Sequence, residues 1–405
     1  MRAIYDPSTQ TVARPVCVLA MSTGEEIFHF APAALPANER SLRDDVRAFI
    51  ADRRDLISTK PIDSWMTPSP EFSRLLGERG WIGMTWPKEY GGRDATMLDR
   101  YVVVEELLAA GAPMGAHWIA DRQSGPLLLR YGTKAQRAEI LPRIVEGTCY
   151  FAIGMSEPNS GSDLASIATR AEPVEGGWRL NGSKIWTSFA QHCTYMICLC
   201  RTAPKSDDRH AGLSQLLVDL SSDGVEIRPI VNLAGDAHFN EIFFDDVFVA
   251  DTMVLGEVNE GWQQVLSELA FERSGPERFL STFRLLEAAI DYLGPEADER
   301  SRVVIGRLSA QLMTLRHMSL SVASALQEGR LPNVEAAIVK DLGTSFEQAM
   351  PEIMRTILSI EARPGEGDAL EAMLGEAVLL APSFSLRGGT REILRGIIAR
   401  GLGLR

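Results

Sequence analysis

The sequence lacks several patterns that would assign it to common functional classes at once. No apolar run approaches the roughly 20 residues that a membrane-spanning helix needs. The six histidines show no H-E-x-x-H spacing and the five cysteines form no C-x-x-C pair, so neither predicts a metal site. G-x-G-x-x-G and the P-loop motif are also missing, which gives no support to a dinucleotide-binding fold or a nucleoside triphosphatase.

Positive charge is scarce as well. The 405 residues carry a formal net charge of −13, which argues against a nucleic-acid-binding surface. Local arginines still allow an anionic ligand, because a site depends on the charges nearest to it. The odd, unpatterned set of cysteines predicts a reducing cytoplasm. Hydrophobic residues make up 45% and charged residues 23%, an ordinary globular composition for about two to three domains.

The hydrophobic period changes twice along the chain, which predicts three domains behind an N-terminal extension. Residues 1–35 show no sustained period, so we predict an extension that is dispensable for folding and activity; whether Met21 is the true start stays open. Residues 36–147 have the helical period, residues 148–255 the strand period, and residues 256–405 the helical period again. Long helices in the last part predict a four-helix bundle.

Period and turn residues also predict the individual elements. Helices are expected from Leu42 onward, then over Glu71–Arg79, Leu98–Ala110, Gln123–Leu129, Lys134–Glu146, Gly261–Ile290, Arg302–Gln327, Asn333–Ile360, Leu370–Leu380 and Thr390–Arg400. Strands are expected over residues 149–155, 166–172, 177–181, 184–188, 194–201, 213–219, 225–230 and 241–249. Short strands with glycine and asparagine turns predict a small antiparallel barrel or sandwich.

A loop with small residues follows the first predicted strand. Met155–Asp163 contains a proline, small hydroxyl side chains and Gly161, so a bulky ligand can approach its backbone. Asn181-Gly182 then predicts a hairpin turn, and Trp186 would add an aromatic wall beside the loop. From the residues alone, a surface loop and a hairpin with a core tryptophan is the simpler interpretation.

Four separated motifs resemble those of the acyl-CoA dehydrogenase family in order and spacing. They are Ser156–Asp163, Asn181–Trp186, Pro87–Gly92 and Gly388–Ile393, within a resemblance that extends over residues 36–405. The resemblance implies an α+β fold: an N-terminal helical domain, a middle antiparallel β-barrel or sandwich, and a C-terminal four-helix bundle. It also implies FAD-dependent α,β-dehydrogenation of an acyl-CoA thioester. An electron-transfer flavoprotein or similar acceptor and a homodimer or homotetramer are implied as partners.

The resemblance assigns roles to individual residues. FAD is expected at Met155, Ser156, Gly161, Ser162, Trp186, Ser188 and Thr390. The substrate is expected at Ser162 and Arg273, although an ordinary surface position stays open for Arg273. Glu157 and Asp163 belong to the motif but are interpreted as structural.

The α-proton base is the most informative residue. The family places this carboxylate either just before the Gly-Thr pair near the C-terminus or on a bundle helix, and the first position is Gly388 here. Glu272, in a Phe-Glu-Arg sequence, matches the second position, as in isovaleryl-CoA and long-chain enzymes. Pro276 predicts a kink in this helix, and burial on the apolar face would raise the glutamate pKa from about 4.3 toward neutrality. An ion pair with Arg273 is the structural alternative. The backbone N–H of Gly388 is expected to donate to the thioester oxygen.

Two further family features are absent. Arg302–Leu308 stands where the family has Arg-x-x-Phe-Gly, and no Gln-x-x-Gly-Gly occurs between Glu352 and Gly375. In the family these groups contact the FAD of the neighbouring subunit. Two alternatives therefore stay open: a non-catalytic or half-site subunit of a heteromeric dehydrogenase, and a flavin-dependent oxidase or monooxygenase on the same fold.

Overall fold

The N-terminal domain is helical. The structure, a computed structural model, describes residues 28–57 and 60–404, and for residues 268–272 it describes the backbone only. Helices α1 to α6 span Glu39–Asp52, Pro70–Glu78, Met97–Ala109, Gly115–Ile119, Gly125–Tyr131 and Lys134–Val145. A π-helical turn, Ala120–Ser124, joins α4 to α5.

Local sequence explains where three of these helices begin. The Ser69 side chain accepts a hydrogen bond from the backbone of the first turn of α2. Thr96 with Asp99 at α3, and Thr133 with Gln136 at α6, form reciprocal capping boxes. Each box satisfies backbone N–H groups that a helix start otherwise leaves without partners.

The end of the predicted extension packs on the body of the protein. Phe30 contacts a buried cluster that includes Val322, and Leu35 contacts a cluster that includes Leu320. Packing therefore begins before residue 36; that residues 1–35 are dispensable for folding and activity stays a prediction. The segment has no helical or strand period, so its few apolar contacts left no pattern to recognise. Residues 1–27 lie outside the described residues.

The middle domain is an eight-stranded sheet with the order β6-β7-β3-β2-β4-β5-β8, in which β1 also pairs with β4. Its strands β1 to β8 span Phe151–Gly154, Arg170–Val174, Gly177–Ser188, Tyr195–Arg201, Leu213–Asp219, Val225–Ile230, Phe239–Ala250 and Val254–Leu255. β1 and β2 run parallel to β4, and the other pairs are antiparallel. Cys198 and Cys200 are fully buried in β4.

The hairpin predicted at Asn181-Gly182 is wrong. Both flanking segments belong to one strand, β3, which pairs with β2 on one side and β7 on the other. Between the pairs Leu180–Val247 and Gly182–Phe244, two residues of β7, Asp245 and Asp246, lie opposite Asn181 alone, so the bulge is in β7. Gly182 has φ +140°, and a Cβ there would lie 2.6 Å from the Thr169 hydroxyl. Asn-Gly indicates a residue with positive φ, and here that glycine serves a close approach to Thr169 within a continuous strand instead of a hairpin turn.

The C-terminal domain is again helical. Helices α7 to α12 span Gly261–Arg273, Phe283–Leu293, Glu299–Gln327, Asn333–Leu358, Ala369–Leu380 and Arg391–Gly401. They share one hydrophobic core with the N-terminal helices; Val46, Leu128, Leu286 and Met350 are members of it. The fold class predicted from the sequence is confirmed.

The segment after α7 differs from its prediction. The single helix predicted over Gly261–Ile290 is interrupted, because α7 ends at Arg273 and Pro276 begins a short 3-10 turn. Gly275, just before the proline, is extended, as the proline ring favours. The predicted kink is therefore a helix end. It leaves Glu272 in the last turn of α7.

No helix in the described part of the chain is long and apolar enough to cross a membrane. No group of histidine, cysteine, aspartate or glutamate side chains among the same residues has an arrangement that could hold a metal ion.

Candidate active site

The loop Met155–Asp163, called the ligand loop below, leaves the end of β1 and turns back on itself. The Glu157 and Ser160 backbones exchange hydrogen bonds with N···O distances of 2.8 and 3.0 Å. A Cβ on Gly161 would meet no atom of the described residues within 4 Å. Open space therefore adjoins the loop at this glycine, and a ligand can reach its backbone.

A buried ion pair holds the ligand loop against β3. The fully buried Lys184 ammonium donates to Glu157 Oε1 at 2.8 Å and to the Met155 carbonyl at 3.0 Å. The Glu157 carboxylate also accepts from the Ala168 and Thr169 N–H groups at 2.6 and 2.9 Å. Burial alone would raise the pKa of the Glu157 carboxyl, but the Lys184 charge and these hydrogen bonds hold that pKa below its ordinary value. These contacts agree with the structural interpretation of Glu157.

Trp186 lies at a second irregularity of β3. The register with β7 shifts between Lys184 and Thr187, and Trp186 has φ +61°, a strained conformation that costs about 1–3 kcal/mol. Its ring is 56% exposed and meets Phe239 edge-on at a centroid distance of 6.0 Å. The simpler interpretation, a core tryptophan, is therefore wrong. Ser188 ends β3 two residues further on and is half-buried.

Helix α7 turns one face toward the ligand loop. Val265 is buried in a cluster with Leu199 and Leu213, and Met155 of the ligand loop packs against this cluster. Position 272 lies about two helical turns beyond Val265 on the same face, because seven residues return a helix to nearly the same side. The side chain of Glu272 lies outside the described residues.

The residue after Glu272 joins α7 to the turn before α12. Arg273 is only 6% exposed, and its Nε donates to the Gly388 carbonyl at 3.2 Å. Gly388 and Gly389 have φ values of +69° and +95°, the left-handed region that favours glycine. Their N–H groups donate to no acceptor among the described residues, and both glycines are half-buried. Positions 115 residues apart in the chain thus meet.

The remaining predicted residues lie around this region. Ser162 is exposed, and Thr390 is half-buried at the start of α12, where its side chain makes no capping bond. The Ser156 carbonyl accepts from the Ile185 N–H at 2.9 Å, which ties the ligand loop to β3. Asp163 is exposed and pairs with a surface arginine, in agreement with a structural role.

Family comparisons match this architecture domain by domain. The N-terminal, middle and C-terminal domain models of acyl-CoA dehydrogenases match residues 36–148, 152–247 and 259–403. The chain belongs to the acyl-CoA dehydrogenase family. The family resemblance drawn from the sequence motifs is therefore confirmed. In family terms, the ligand loop and β3 belong to the middle domain, and α7 and the Gly388-Gly389 turn belong to the C-terminal domain.

Relatives and solved structures agree with this assignment. The acyl-CoA dehydrogenase IpdE1 of Mycobacterium tuberculosis is 35% identical over 343 residues, which cover 82% of this chain and 87% of IpdE1. The chain spans only 49% of the length of another relative, FadE34 of the same organism. The solved Tcur3481-Tcur3483 steroid ACAD is 28% identical with a TM-score of 0.82, over 92% of this chain and 98% of that one. The ChsE4-ChsE5 complex from Mycobacterium tuberculosis is 27% identical with a TM-score of 0.77, over 92% and 99%.

Two charged residues next to the ligand loop and the Gly388-Gly389 turn received no role from the sequence. Lys184 lies within the Asn181–Trp186 motif, which assigned it no role. Strand alternation from the buried Leu180 nevertheless places it on the inward face. Arg387 and its partner Asp63 are 324 residues apart, and no local pattern links them.

Proposed function

We propose that this chain catalyses the α,β-dehydrogenation of an acyl-CoA thioester with FAD as its cofactor. One observation supports this most directly: Arg273 donates to the Gly388 carbonyl at 3.2 Å, so the adjoining position 272 lies near unpaired backbone N–H groups. Removal of an α-proton needs a base for the proton and a hydrogen-bond donor for the thioester oxygen. Glu272 would take the proton as the base, while the Gly388 N–H stabilises the negative charge that develops on the thioester oxygen.

The residues of the ligand loop and β3 fit a cofactor with a flat ring. Trp186 presents an exposed ring on a strained backbone, and open space adjoins Gly161. When bound, FAD supplies the hydride acceptor. We propose that it is held by Met155, Ser156, Gly161, Ser162, Trp186, Ser188 and Thr390.

Gly388 and Arg273 would act together in this proposal. Gly388 stands where many family members carry the base, and its missing side chain leaves room for a carboxylate that comes from α7. Arg273 holds the Gly388 carbonyl, which orients the neighbouring N–H groups. Contact of Arg273 or Ser162 with coenzyme A stays a prediction.

A cavity beside α7 suits a bulky acyl group. It has a volume of about 490 Å³, within the usual range of small-molecule pockets. Its described lining is Thr85, Trp86, Ala95, Thr96, Met97, Arg122, Gln123, Pro126, Leu127, Leu129, Arg130, Ser267, Leu326 and Gln327. Arginines and amides among apolar side chains favour an acyl group that carries oxygen substituents. Together with the likeness to a steroid ACAD, this supports a polycyclic acyl-CoA as the substrate class.

A half-site subunit of a heteromeric dehydrogenase is the second candidate. In place of the family motif that contacts a neighbouring FAD, Arg302, Gly306 and Arg307 lie exposed on α9. A related solved structure is a complex of two named chains, ChsE4 and ChsE5. We therefore propose that the chain forms an oligomer through the C-terminal bundle. The neighbouring subunit is either a second copy of this chain or a different, related chain.

The setting of the reaction follows from the same proposal. An electron-transfer flavoprotein or a similar acceptor would reoxidise the cofactor. The described cysteines Cys149, Cys193, Cys198 and Cys200 are all free thiols, which supports the predicted reducing cytoplasm.

The decisive experiment for the function is a visible spectrum of the purified chain, followed by anaerobic addition of acyl-CoAs. We expect a yellow protein whose flavin absorbance bleaches, most strongly with polycyclic acyl-CoAs. A colourless protein that acquires flavin only with a second chain would favour the half-site subunit. Rapid peroxide formation in air would favour an oxidase.

Trp186→Ala is expected to lower flavin occupancy and to shift the visible spectrum of any flavin retained, because the exposed ring would no longer cover the isoalloxazine. Flavin content per chain and the absorbance maximum measure both effects. Trp178→Ala in the same strand is the matched control, since Trp178 packs against the core of the sheet. Full occupancy with an unchanged spectrum in Trp186→Ala would contradict the placement of the ring.

A further inference from the structure

We propose that Arg387 is a positioning residue for the Gly388-Gly389 turn, and that its buried ion pair with Asp63 sets where the backbone N–H groups of this turn point. The inference rests on the proposed function, because it assigns the turn to the thioester oxygen. It adds to the machinery a residue pair that joins Arg387 of the C-terminal domain to Asp63 of the N-terminal domain. No motif in the sequence pointed to this pair.

The guanidinium of Arg387 is held from several sides. Its Nη1 lies 2.8 and 2.6 Å from the two carboxylate oxygens of Asp63, and its Nη2 donates to Ser281 Oγ at 3.0 Å. The side chains of Arg387 and Asp63 are 14% and 6% exposed. The guanidinium also lies over the Trp65 and Phe384 rings, at 5.1 and 4.7 Å from their centroids. Such a buried, multiply bonded guanidinium has one available position.

The partners of Arg387 are themselves fixed. Asp63 has φ +54°, and its N–H donates to the Ser281 carbonyl at 2.9 Å. The Ser281 N–H donates to the Glu347 carboxylate of α10 at 2.7 Å. Burial raises the pKa of the Glu347 carboxyl to about 7, against the opposing Arg387 charge. The Asp63 carboxylate lies 2.8 and 2.6 Å from Arg387 Nη1, whereas the Glu347 carboxylate lies 3.8 Å from Nη2, so Asp63 is the nearer counter-charge of Arg387.

The turn needs external support because of its composition. Gly388 and Gly389 have no side chains of their own to restrict the backbone, and glycine has the largest conformational freedom. Buried cations hold the segment on both sides: Lys340 donates to the Phe384 carbonyl at 2.9 Å, and Arg273 donates to the Gly388 carbonyl at 3.2 Å. Arg387 differs from Lys340 and Arg273 because it directly precedes the two glycines in the chain and bonds Asp63 of the N-terminal domain.

The arrangement couples the proposed base to the proposed N–H donor. Arg273 follows Glu272 in α7, and the 3-10 turn after α7 leads to Ser281, which bonds Arg387. The segment after Glu272 thus contacts the turn at both ends. Arg273 donates to the Gly388 carbonyl, and Ser281 accepts from the Arg387 side chain. A displacement of even about 1 Å between these groups can cost on the order of 100-fold in rate.

The test compares Arg387→Lys and Asp63→Asn with a matched control, Arg316→Lys. Arg316 also forms a buried pair across the two helical domains, with Glu105 at 2.6 and 3.0 Å, but it lies away from the turn. The first readout is the infrared stretch of a ¹³C-labelled thioester carbonyl in bound acyl-CoA, which reports the hydrogen bond without turnover. The second is the separation of kcat from KM.

In Arg387→Lys we expect the carbonyl band to move back toward its position in water and kcat to fall roughly ten- to hundredfold, with KM changed less than about threefold. Arg316→Lys should keep both the band and kcat, even where its melting temperature falls as far. If Arg387→Lys does not fold, Asp63→Asn carries the same comparison. Wild-type band position and kcat in the folded variant would overturn the inference. A wild-type protein that binds no acyl-CoA would instead overturn the proposed function.

Discussion

Glu272→Gln is expected to bind acyl-CoA and FAD and yet to reduce the flavin at least about 100-fold more slowly than the wild type. The amide keeps the size and the hydrogen-bonding capacity of the side chain but cannot accept the α-proton. Position 272 lies in the last turn of α7, next to the arginine that holds the Gly388 carbonyl. Anaerobic stopped-flow absorbance of the flavin measures the rate directly.

Two companion variants sharpen this result. Glu260→Gln, an exposed residue just before α7, is the control and should reduce flavin at the wild-type rate. Gly388→Glu in the Glu272→Gln background restores a carboxylate at the family's other position. Only partial recovery is expected there, because Gly388 has φ +69° and a side chain in that conformation costs about 1–2 kcal/mol. Wild-type flavin reduction by Glu272→Gln would assign the base to another residue or another chain.

The elements of the fold were largely predictable because their signals are local. The strand predictions 213–219 and 225–230 coincide with β5 and β6, since alternation and nearby turn residues define them. Gly147 follows the end of α6 with φ +67°, the conformation in which helices commonly end. Such features depend on a few consecutive residues, which the sequence shows directly.

The predictions that are wrong involve signals with more than one physical solution. Asn181-Gly182 indicated a backbone with positive φ, and only pairing with β2 and β7 decides between a continuous strand and a turn. Trp186 was apolar enough for a core position. Its exposure coincides with a second register shift in β3. No turn residue or proline nearby in the sequence predicts that shift.

Long-range charge pairing was the part of the site that the sequence did not reveal. Asp63 and Arg387 are 324 residues apart, and Ser281 lies 106 residues before Arg387. Each is an ordinary polar residue in its own segment. Their importance appears only when the N-terminal helices and the C-terminal bundle close around one core.

Lys184→Met is expected to lower the free energy of unfolding by about 3–5 kcal/mol, because it leaves the buried Glu157 carboxylate without its counter-charge. Lys184 is fully buried and Glu157 is 8% exposed. The measurement is thermal or denaturant unfolding at neutral pH. Lys88→Met is the matched control: Lys88 pairs with Asp94 at 3.7 Å, with side chains 75% and 56% exposed, and such a pair contributes about 0–1 kcal/mol.

The double variant Lys184→Met/Glu157→Gln separates the charge effect from the loss of packing. Without the carboxylate no uncompensated charge remains, so the double variant should be more stable than Lys184→Met alone. The ion-pair explanation would be contradicted if the double variant lost as much free energy of unfolding as the two single variants together. A Lys184→Met protein as stable as Lys88→Met would contradict it too.

Flavin content links this stability effect to function. Lys184 also donates to the Met155 carbonyl at 3.0 Å. The ammonium therefore holds both the first residue of the ligand loop and the Glu157 carboxylate. In Lys184→Met we therefore expect reduced FAD occupancy at temperatures where the protein is still folded. In the double variant the uncompensated Glu157 charge is gone but the bond to Met155 is still missing, so stability should recover further than FAD occupancy. Equal recovery of both would show that the ligand loop depends on the charge balance alone.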